Sequence, residues 1–231
     1  MNAIILAAGL GSRFKELTVN NHKALLPING IPNIERIIQY LTNFGVNEIH
    51  IVTGHMSHLF NYLIDKYQCN LIHNPHYADY NSIYSFNLAS EFFNDSIVID
   101  ADVVLLENIF VTLEKSAYYV IERPKSLDQE WIPILNNRGI IESMQVSDAD
   151  APSLLGISYW NASACELIKK ELSKYLDNET LENSKLYWDN IPISLFDKMN
   201  VGTHLVEKTH AAEMDTVENY NYICNNLLKT C

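Results

Sequence analysis

Basic residues are scarce in this chain. Sixteen lysines and arginines stand against 28 aspartates and glutamates, a formal net charge of −12 over 231 residues. A general nucleic-acid binder would have to assemble a basic surface against that excess, so no nucleic-acid partner is expected. A phosphorylated small molecule remains compatible, because it needs only a few cations gathered in one place. Long hydrophobic runs are also missing. No stretch approaches the ~20 apolar residues of a membrane span, and no membrane partner is expected. Cysteine is confined to Cys69, Cys165, Cys224 and Cys231, with no C-x-x-C and no paired spacing. That excludes a zinc ribbon or a dithiol redox motif and fits reduced thiols in a cytoplasmic protein. The apolar run from Ala3 to Ala8 lacks a basic n-region and is too short for a secretory signal, so it reads as a buried strand.

What is present is ordinary globular material, 48% hydrophobic and 19% charged, enough for one large domain or at most two. Ala3-Ile4-Ile5-Leu6-Ala7 is continuously apolar and runs into glycine, as a strand covered on both faces should. After a long loop to about Gly30, Pro32 opens a helical pattern with Ile34, Ile37, Ile38 and Leu41 on one face and Gly45 just past its end. Strands follow at Glu48 to Val52, Leu71-Ile72 and Ile97 to Ile99, separated by helices predicted over His58 to Tyr67 and Ser82 to Phe93. Beyond Asp102 strands dominate, at Tyr118 to Glu122, Ile132 to Leu135, Ile140 to Val146 and Leu154 to Trp160. Helices return at Ala164 to Leu176, Trp188 to Lys198 and Val217 to Lys229. The pattern predicts one Rossmann-like α/β domain with a mixed, mostly parallel central sheet flanked by helices. Its nucleotide-binding half would span about 1–115 and its acceptor-binding half about 116–231.

The loop after the first strand, Leu6-Ala7-Ala8-Gly9-Leu10-Gly11-Ser12-Arg13, could bring backbone N–H groups to phosphate oxygens. It is neither of two common phosphate loops. The third glycine of the dinucleotide fingerprint is replaced by Phe14, and the Gly-Lys-Ser/Thr of a P-loop is absent. Instead Arg13 and Lys23 flank it, a bidentate cation and a movable one. Asp100-Ala101-Asp102 lies at the carboxyl end of a predicted strand, where open α/β sheets place ligands. Two carboxylates so close are tolerated when a hard cation such as Mg²⁺ neutralises one. The thirteen tyrosines and three tryptophans include Glu130-Trp131 and Tyr187-Trp188-Asp189, where rings adjoin carboxylates. That composition suits a quaternary ammonium group, which offers no N–H and must be held by ring faces and negative charge; it also suits plain core packing. The histidine pairs His55/His58 and His73/His76 have no third ligand in a matching context and read as solvated or packing residues.

Taken together, Leu-Ala-Ala-Gly-x-Gly-x-Arg, Leu17-Thr18, Lys23-Ala24-Leu25 and Gly30-x-Pro32 resemble the signature of the nucleotidyltransferases that activate sugar phosphates and small alcohol phosphates. One departure is visible: the proline that usually precedes the lysine is His22, which bears on the stiffness of the loop. The resemblance extends over nearly the whole chain to the family's bacterial branch acting on CTP and phosphocholine. It runs through Tyr77-Ala78-Asp79-Tyr80-Asn81, Gly156-Ile157-Ser158-Tyr159-Trp160 and Leu186 to Asn190.

The resemblance implies a cytoplasmic cytidylyltransferase, monomer or homodimer, that makes CDP-choline and pyrophosphate for lipopolysaccharide biosynthesis and related surface-glycan decoration. It assigns Leu6, Ala8, Gly9, Gly11, Ser12, Arg13, Lys23, Tyr80, Asn81, Ser85 and Asp100 to the nucleotide, with Arg13, Lys23 and Asp102 as catalytic groups. Mg²⁺ would be held by Asp102 with Asp215 or Glu213. Glu130, Trp131, Tyr187, Trp188 and Asp189 would form the choline site. A cation for the acceptor phosphate is also expected, with Arg123 and Lys198 as candidates. The alternatives are another acceptor (a sugar 1-phosphate, phosphoethanolamine or an aminoalkyl phosphonate) and a catalytically silent nucleotide-sensing subunit.

Overall fold

The unbroken apolar run near the start becomes β1 (Asn2–Ala7), buried along its whole length. Its side chains alternate between two cores: Ala3, Ile5 and Ala7 face one layer, Ile4 and Leu6 the other. This is the period-two signature of a strand sandwiched between helices. The computed structural model describes residues 1–123 and 129–227, leaving aside the side chains of residues 15 and 16. Cys231 and the end of the helix predicted over Val217 to Lys229 lie outside the described residues.

After the glycine loop, two 3₁₀ turns (Ser12–Thr18 and Lys23–Leu25) lead to a hairpin of β2 (Pro27–Ile28) and β3 (Ile31–Pro32). Its turn residues Asn29 and Gly30 have φ of 50° and 79°, the left-handed pair that an Asn-Gly turn supplies. Helix α1 (Asn33–Phe44) buries Ile34, Ile37, Ile38 and Leu41 and is closed by Gly45 at φ 100°. There follow β4 (Ile49–Thr53), α2 (Tyr62–Tyr67), β5 (Asn70–His73), α3 (Ser82–Ala89), β6 (Ser96–Asp100) and β7 (Val103–Leu105). The second half adds β8 (Ala117–Ile121), β9 (Glu130–Leu135), β10 (Ile141–Ser147), β11 (Ser153–Trp160) and α4 (Ala162–Leu172). The chain then forms α5 (Asn178–Glu182), α6 (Asn190–Ile193), β12 (Gly202–Val206), β13 (Ala211–Glu213) and α7 (Val217–Tyr222).

Seven strands form one sheet in the order β12-β8-β11-β6-β1-β4-β5. Only β11 runs against its neighbours, β6 and β8; the other pairings are parallel. The mixed, mostly parallel α/β sheet expected from the sequence is therefore present.

Several elements differ in extent. The helices expected from His58, Ser82 and Ala164 each resolve into an α-helix joined to a short 3₁₀ turn. The helix expected from Trp188 to Lys198 is only α6. Pro192 removes a backbone donor there, and the apolar spacing of Leu195, Phe196 and Met199 reflects burial of a turn rather than a helical stripe. Strands β2, β3, β7, β12 and β13 and helix α5 are additional.

Candidate active site

Parallel pairing of β1 with β6 places Leu6 opposite Asp100, and the Ala101 N–H continues the contact to the Leu6 carbonyl at 3.1 Å. The glycine loop and the Asp100–Asp102 turn thus leave the sheet side by side at its carboxyl edge, the position that ligands use in such sheets. Leu6, Ala8, Gly9, Lys23, Tyr80, Asn81, Ser85, Asp100 and Asp102 line one cleft together with His22 and Tyr77. Gly11, Ser12 and Arg13 sit on the outer shoulder of the loop and are not part of that lining.

His22 stiffens the loop by a route other than proline. It is buried, its Nδ1 accepts from the Ala24 N–H (3.1 Å), and its Nε2 lies 2.9 Å from the Gly9 carbonyl. Because Nδ1 is the acceptor, the ring proton must sit on Nε2 and donate to Gly9. The imidazole ties the glycine turn to the Lys23 turn in its neutral form. Burial, opposed by the bond to Gly9, pulls its pKa from 6.5 to about 4. The unfolded chain therefore takes up a proton near pH 6.5 that the folded protein refuses, and stability falls as pH drops from about 6.5 towards 4. The expected loss by pH 4.5 is about 2–3 kcal/mol from this residue. Urea midpoints of wild type and His22→Gln at pH 7 and pH 4.5 measure it. The variant should lose that share of the acid sensitivity, and identical pH dependence in the two proteins would refute the neutral-histidine assignment.

Antiparallel pairing of β13 with β7 sets Glu213 opposite Val103, and the Met214 N–H donates to the Asp102 carbonyl at 3.0 Å. This short pairing brings residues 213–215 to the Asp102 turn across more than a hundred positions of sequence. Each carboxylate there meets a cation: Lys23 Nζ reaches Asp102 at 2.5 Å, Arg13 reaches Asp215 at 2.8 Å, and Arg123 reaches Glu213 at 2.7 Å. Burial would lower the Lys23 pKa and raise that of Asp102, but the pair's own attraction and hydrogen bond outweigh it. Lys23 is raised, Asp102 is lowered, and both are charged.

The neighbouring acids behave oppositely. Burial, with Asp102, Asp189 and Glu213 nearby, holds Asp100 well above the usual carboxylate range. Burial lifts Glu213 to about 8 against the pull of Arg123, and lifts Asp189 to about 7 against the hydrogen bond from Tyr118. Such crowding of oxygen donors suits a hard divalent cation. Among the described residues no three His, Cys, Asp or Glu side chains are already drawn together as a ligand set. Asp102 and a carboxylate from residues 213–215 would need substrate oxygens to complete one.

A second cleft adjoins the first, lined by Glu130, Trp131, Tyr187, Trp188, Asp189, Glu213 and Asp215. Trp131 on β9 and Tyr187 meet edge to face, centroids 6.2 Å apart at 88°, forming two walls of a corner. Tyr187 is half exposed, as a ring waiting for a partner would be. Trp188 is different: it is buried, stacks on Phe86 at 4.9 Å and braces the cleft from behind. Gly156 interrupts β11 with φ 70° where its register with β8 shifts, and a Cβ there would stand 3.2 Å from Asp100 Oδ2. The bulge leaves room on the cleft floor.

Two sequence candidates have other duties. The Asn81 side chain caps α3 by accepting from the Ile83 N–H and donates to the carbonyls of Thr180 and Asn183, so it anchors the segment carrying Tyr187. Ser85 lines the cleft while bonded to Asn74. Of the two proposed phosphate cations, Arg123 borders the second cleft, bonded to Ser153, Leu154 and Glu213. Lys198 lies on an exposed turn away from both clefts. Tyr118, whose hydroxyl donates to Asp189, and Asn33, whose amide donates to the Ala101 and Val103 carbonyls, belong to no motif in the sequence, and His22 stands out there only as the residue in place of a proline.

A family model described as the MobA-like NTP transferase domain matches residues 3–145. The choline-phosphate cytidylyltransferase of Haemophilus influenzae is 47% identical over 228 residues, 98% of this chain and 97% of that protein. The 2-aminoethylphosphonate cytidylyltransferase of Lancefieldella rimae is 30% identical, covering 94% and 89% of the two chains. Among solved structures, the CTP:phosphocholine cytidylyltransferase of Streptococcus pneumoniae superposes with a TM-score of 0.89 at 35% identity, over 96% of each chain.

Proposed function

This chain belongs to the MobA-like NTP transferase family and is a nucleotidyltransferase, and we propose that it joins CTP to phosphocholine to give CDP-choline and pyrophosphate. The observation that carries the choice of acceptor is the Trp131–Tyr187 corner beside Glu130, Asp189 and Glu213, one wall away from the glycine loop. A trimethylammonium group gains roughly 0.5–2 kcal/mol per ring face and needs no hydrogen-bond acceptor. A primary ammonium, as in phosphoethanolamine or an aminoalkyl phosphonate, can also sit over a ring, but its N–H donors then need acceptors that ring faces do not supply well.

In this reading CTP lies along the glycine loop, with its phosphates among the loop N–H groups, Lys23 and Arg13. The acceptor phosphate, already an anion, attacks the α-phosphorus in line and pyrophosphate departs, so no general base is required. The task of the protein is to hold two anions together and to stabilise the charge that builds up on the phosphoryl oxygens. Lys23 and Arg13 would exchange their carboxylate partners for phosphate oxygens as the nucleotide enters. Mg²⁺, held by Asp102 with Asp215 or Glu213, would supply Lewis-acid stabilisation of the triphosphate. Asp189, kept in place by Tyr118, and Trp131 with Tyr187 would fix the choline end. Work in the cytoplasm, where nucleoside triphosphates are available, and a role in decorating surface glycans belong to the same proposal. No described helix is long and apolar enough to cross a membrane.

The test is pyrophosphate release in magnesium with each of four nucleoside triphosphates against phosphocholine, phosphoethanolamine, 2-aminoethylphosphonate and glucose 1-phosphate. With CTP, phosphocholine should exceed each other acceptor by about tenfold in kcat/KM, the discrimination expected of an aromatic site worth ~1.4 kcal/mol, and with phosphocholine CTP should be the best of the four nucleotides. A higher rate with an amino acceptor would transfer the proposal to that substrate. No release with any pair would favour a nucleotide-sensing protein.

A further inference from the structure

Asn33, the first residue of α1, is fully buried, yet it leaves one of its own atoms unsatisfied. Its Nδ2 donates to the carbonyls of Ala101 (3.1 Å) and Val103 (2.8 Å), while Oδ1 has no hydrogen-bond partner among the described residues. Turning the amide over would press Oδ1 against those two carbonyls, so they fix its orientation. A buried acceptor without a donor carries a free-energy cost, and a residue that keeps it at this place calls for an explanation.

The two carbonyls flank Asp102. The Asn33 backbone N–H in turn donates to Leu26 (3.0 Å), which closes the 3₁₀ turn carrying Lys23. One residue therefore grips both sides of the Lys23–Asp102 pair. Farther along the same helix face, Arg36 and Tyr40 make comparable bonds to the carbonyls of Leu105 and Leu106, at 3.1 and 3.0 Å. Those lie past the turn, at the last residue of β7 and the one after it.

We propose that Asn33 is a positioning residue for the reaction: by clamping the carbonyls on either side of Asp102 it aims that carboxylate at Lys23 and at the metal, and accepts an unsatisfied oxygen in return. This rests on the reading of Asp102 as a metal ligand. Leucine at position 33 would keep the branched outline with somewhat more bulk and lose both clamps. Arg36→Leu would lose one bond to β7 and spare the turn.

The experiment measures binding of Mn²⁺–CTP by electron paramagnetic resonance with acceptor withheld, together with kcat, CTP KM and thermal midpoint, for wild type, Asn33→Leu, Arg36→Leu and Asp102→Asn. Asn33→Leu should weaken Mn²⁺–CTP binding about tenfold and lower kcat about tenfold, while Arg36→Leu stays within about twofold of wild type on both. If Asn33→Leu matches Arg36→Leu on both readouts, Asn33 is only structural and the inference is overturned. If Asp102→Asn binds Mn²⁺–CTP like wild type, the metal reading of Asp102 has failed instead. The Asn33 inference then survives only if Asn33→Leu alone of the two α1 variants still loses kcat. Should Asn33→Leu not fold, Asn33→Ser, which removes the same clamp without adding bulk, is judged by the same criteria.

Discussion

Asp102→Asn should lower kcat by about a thousandfold, equivalent to roughly 4 kcal/mol of lost transition-state stabilisation. The side chain keeps its size, so the effect must come from charge. Asp102 is the carboxylate in the cluster held below its ordinary pKa, by the Lys23 ammonium against the opposing effect of burial, whereas Asp100, Asp189 and Glu213 are raised. It is thus the acid best suited to remain ionised and to accept a divalent cation at neutral pH. The amide oxygen could still accept from Lys23, but the 2.5 Å contact would lose its ion-pair character, so some loss of stability is expected alongside. The check is kcat at saturating CTP and acceptor over a wide range of magnesium concentrations, with thermal midpoints to confirm folding. A variant that recovers wild-type kcat merely by being given more magnesium would show that Asp102 tunes affinity and is not needed in the transition state.

Trp131→Ala should raise the KM for phosphocholine by about tenfold, close to 1.4 kcal/mol and within the range of a desolvated cation–π contact. The CTP KM should change by less than about twofold, because Trp131 lines the second cleft and not the first. Trp131→Phe keeps a ring face and should fall between the two. The geometry adds a specific expectation. Trp131 and Tyr187 touch edge to face, so removing one frees the other to move, and Tyr187→Ala combined with Trp131→Ala should cost less than the sum of the single changes. Steady-state kinetics with both substrates varied decides the matter. Equal losses for CTP and phosphocholine would mean that the corner is part of the core and does not select the acceptor.

The parts of the site legible in the sequence were those written locally. The glycine turn, Arg13 and Lys23 fall within eighteen residues, and Asp100-Ala101-Asp102 follows a strand whose apolar run has an obvious end. Strand β1, helix α1 and Gly45 were equally plain, because burial on two faces or on one stripe imposes its own period. Three-residue strands such as β7 and β13 carry no period of their own, and only their pairing shows why Glu213 and Asp215 reach Asp102. The hairpin at Asn29-Gly30 did carry a local signal, since that dipeptide favours the left-handed turn it adopts.

Other residues changed meaning once their partners were known. Asn81 follows the tyrosines of a nucleotide-site motif, but its side chain is occupied in holding Thr180 and Asn183. Trp188 adjoins carboxylates in sequence, but it is wedged against Phe86. His22 reads as a missing proline, yet both of its ring nitrogens brace the loop.

By itself the sequence determined the α/β alternation, the glycine-rich turn that ends the first strand and the Asp-x-Asp that ends the strand beside it. Each of these rests on neighbours along the chain or on the periodicity of burial. Only the tertiary structure decided which distant carboxylates join Asp102, which aromatic rings face the open cleft and which polar side chains are already engaged. Those outcomes depend on sheet order and on hydrogen-bond partners far away in sequence. An isolated side chain has the same chemistry whether it meets a ligand, a backbone carbonyl or another ring.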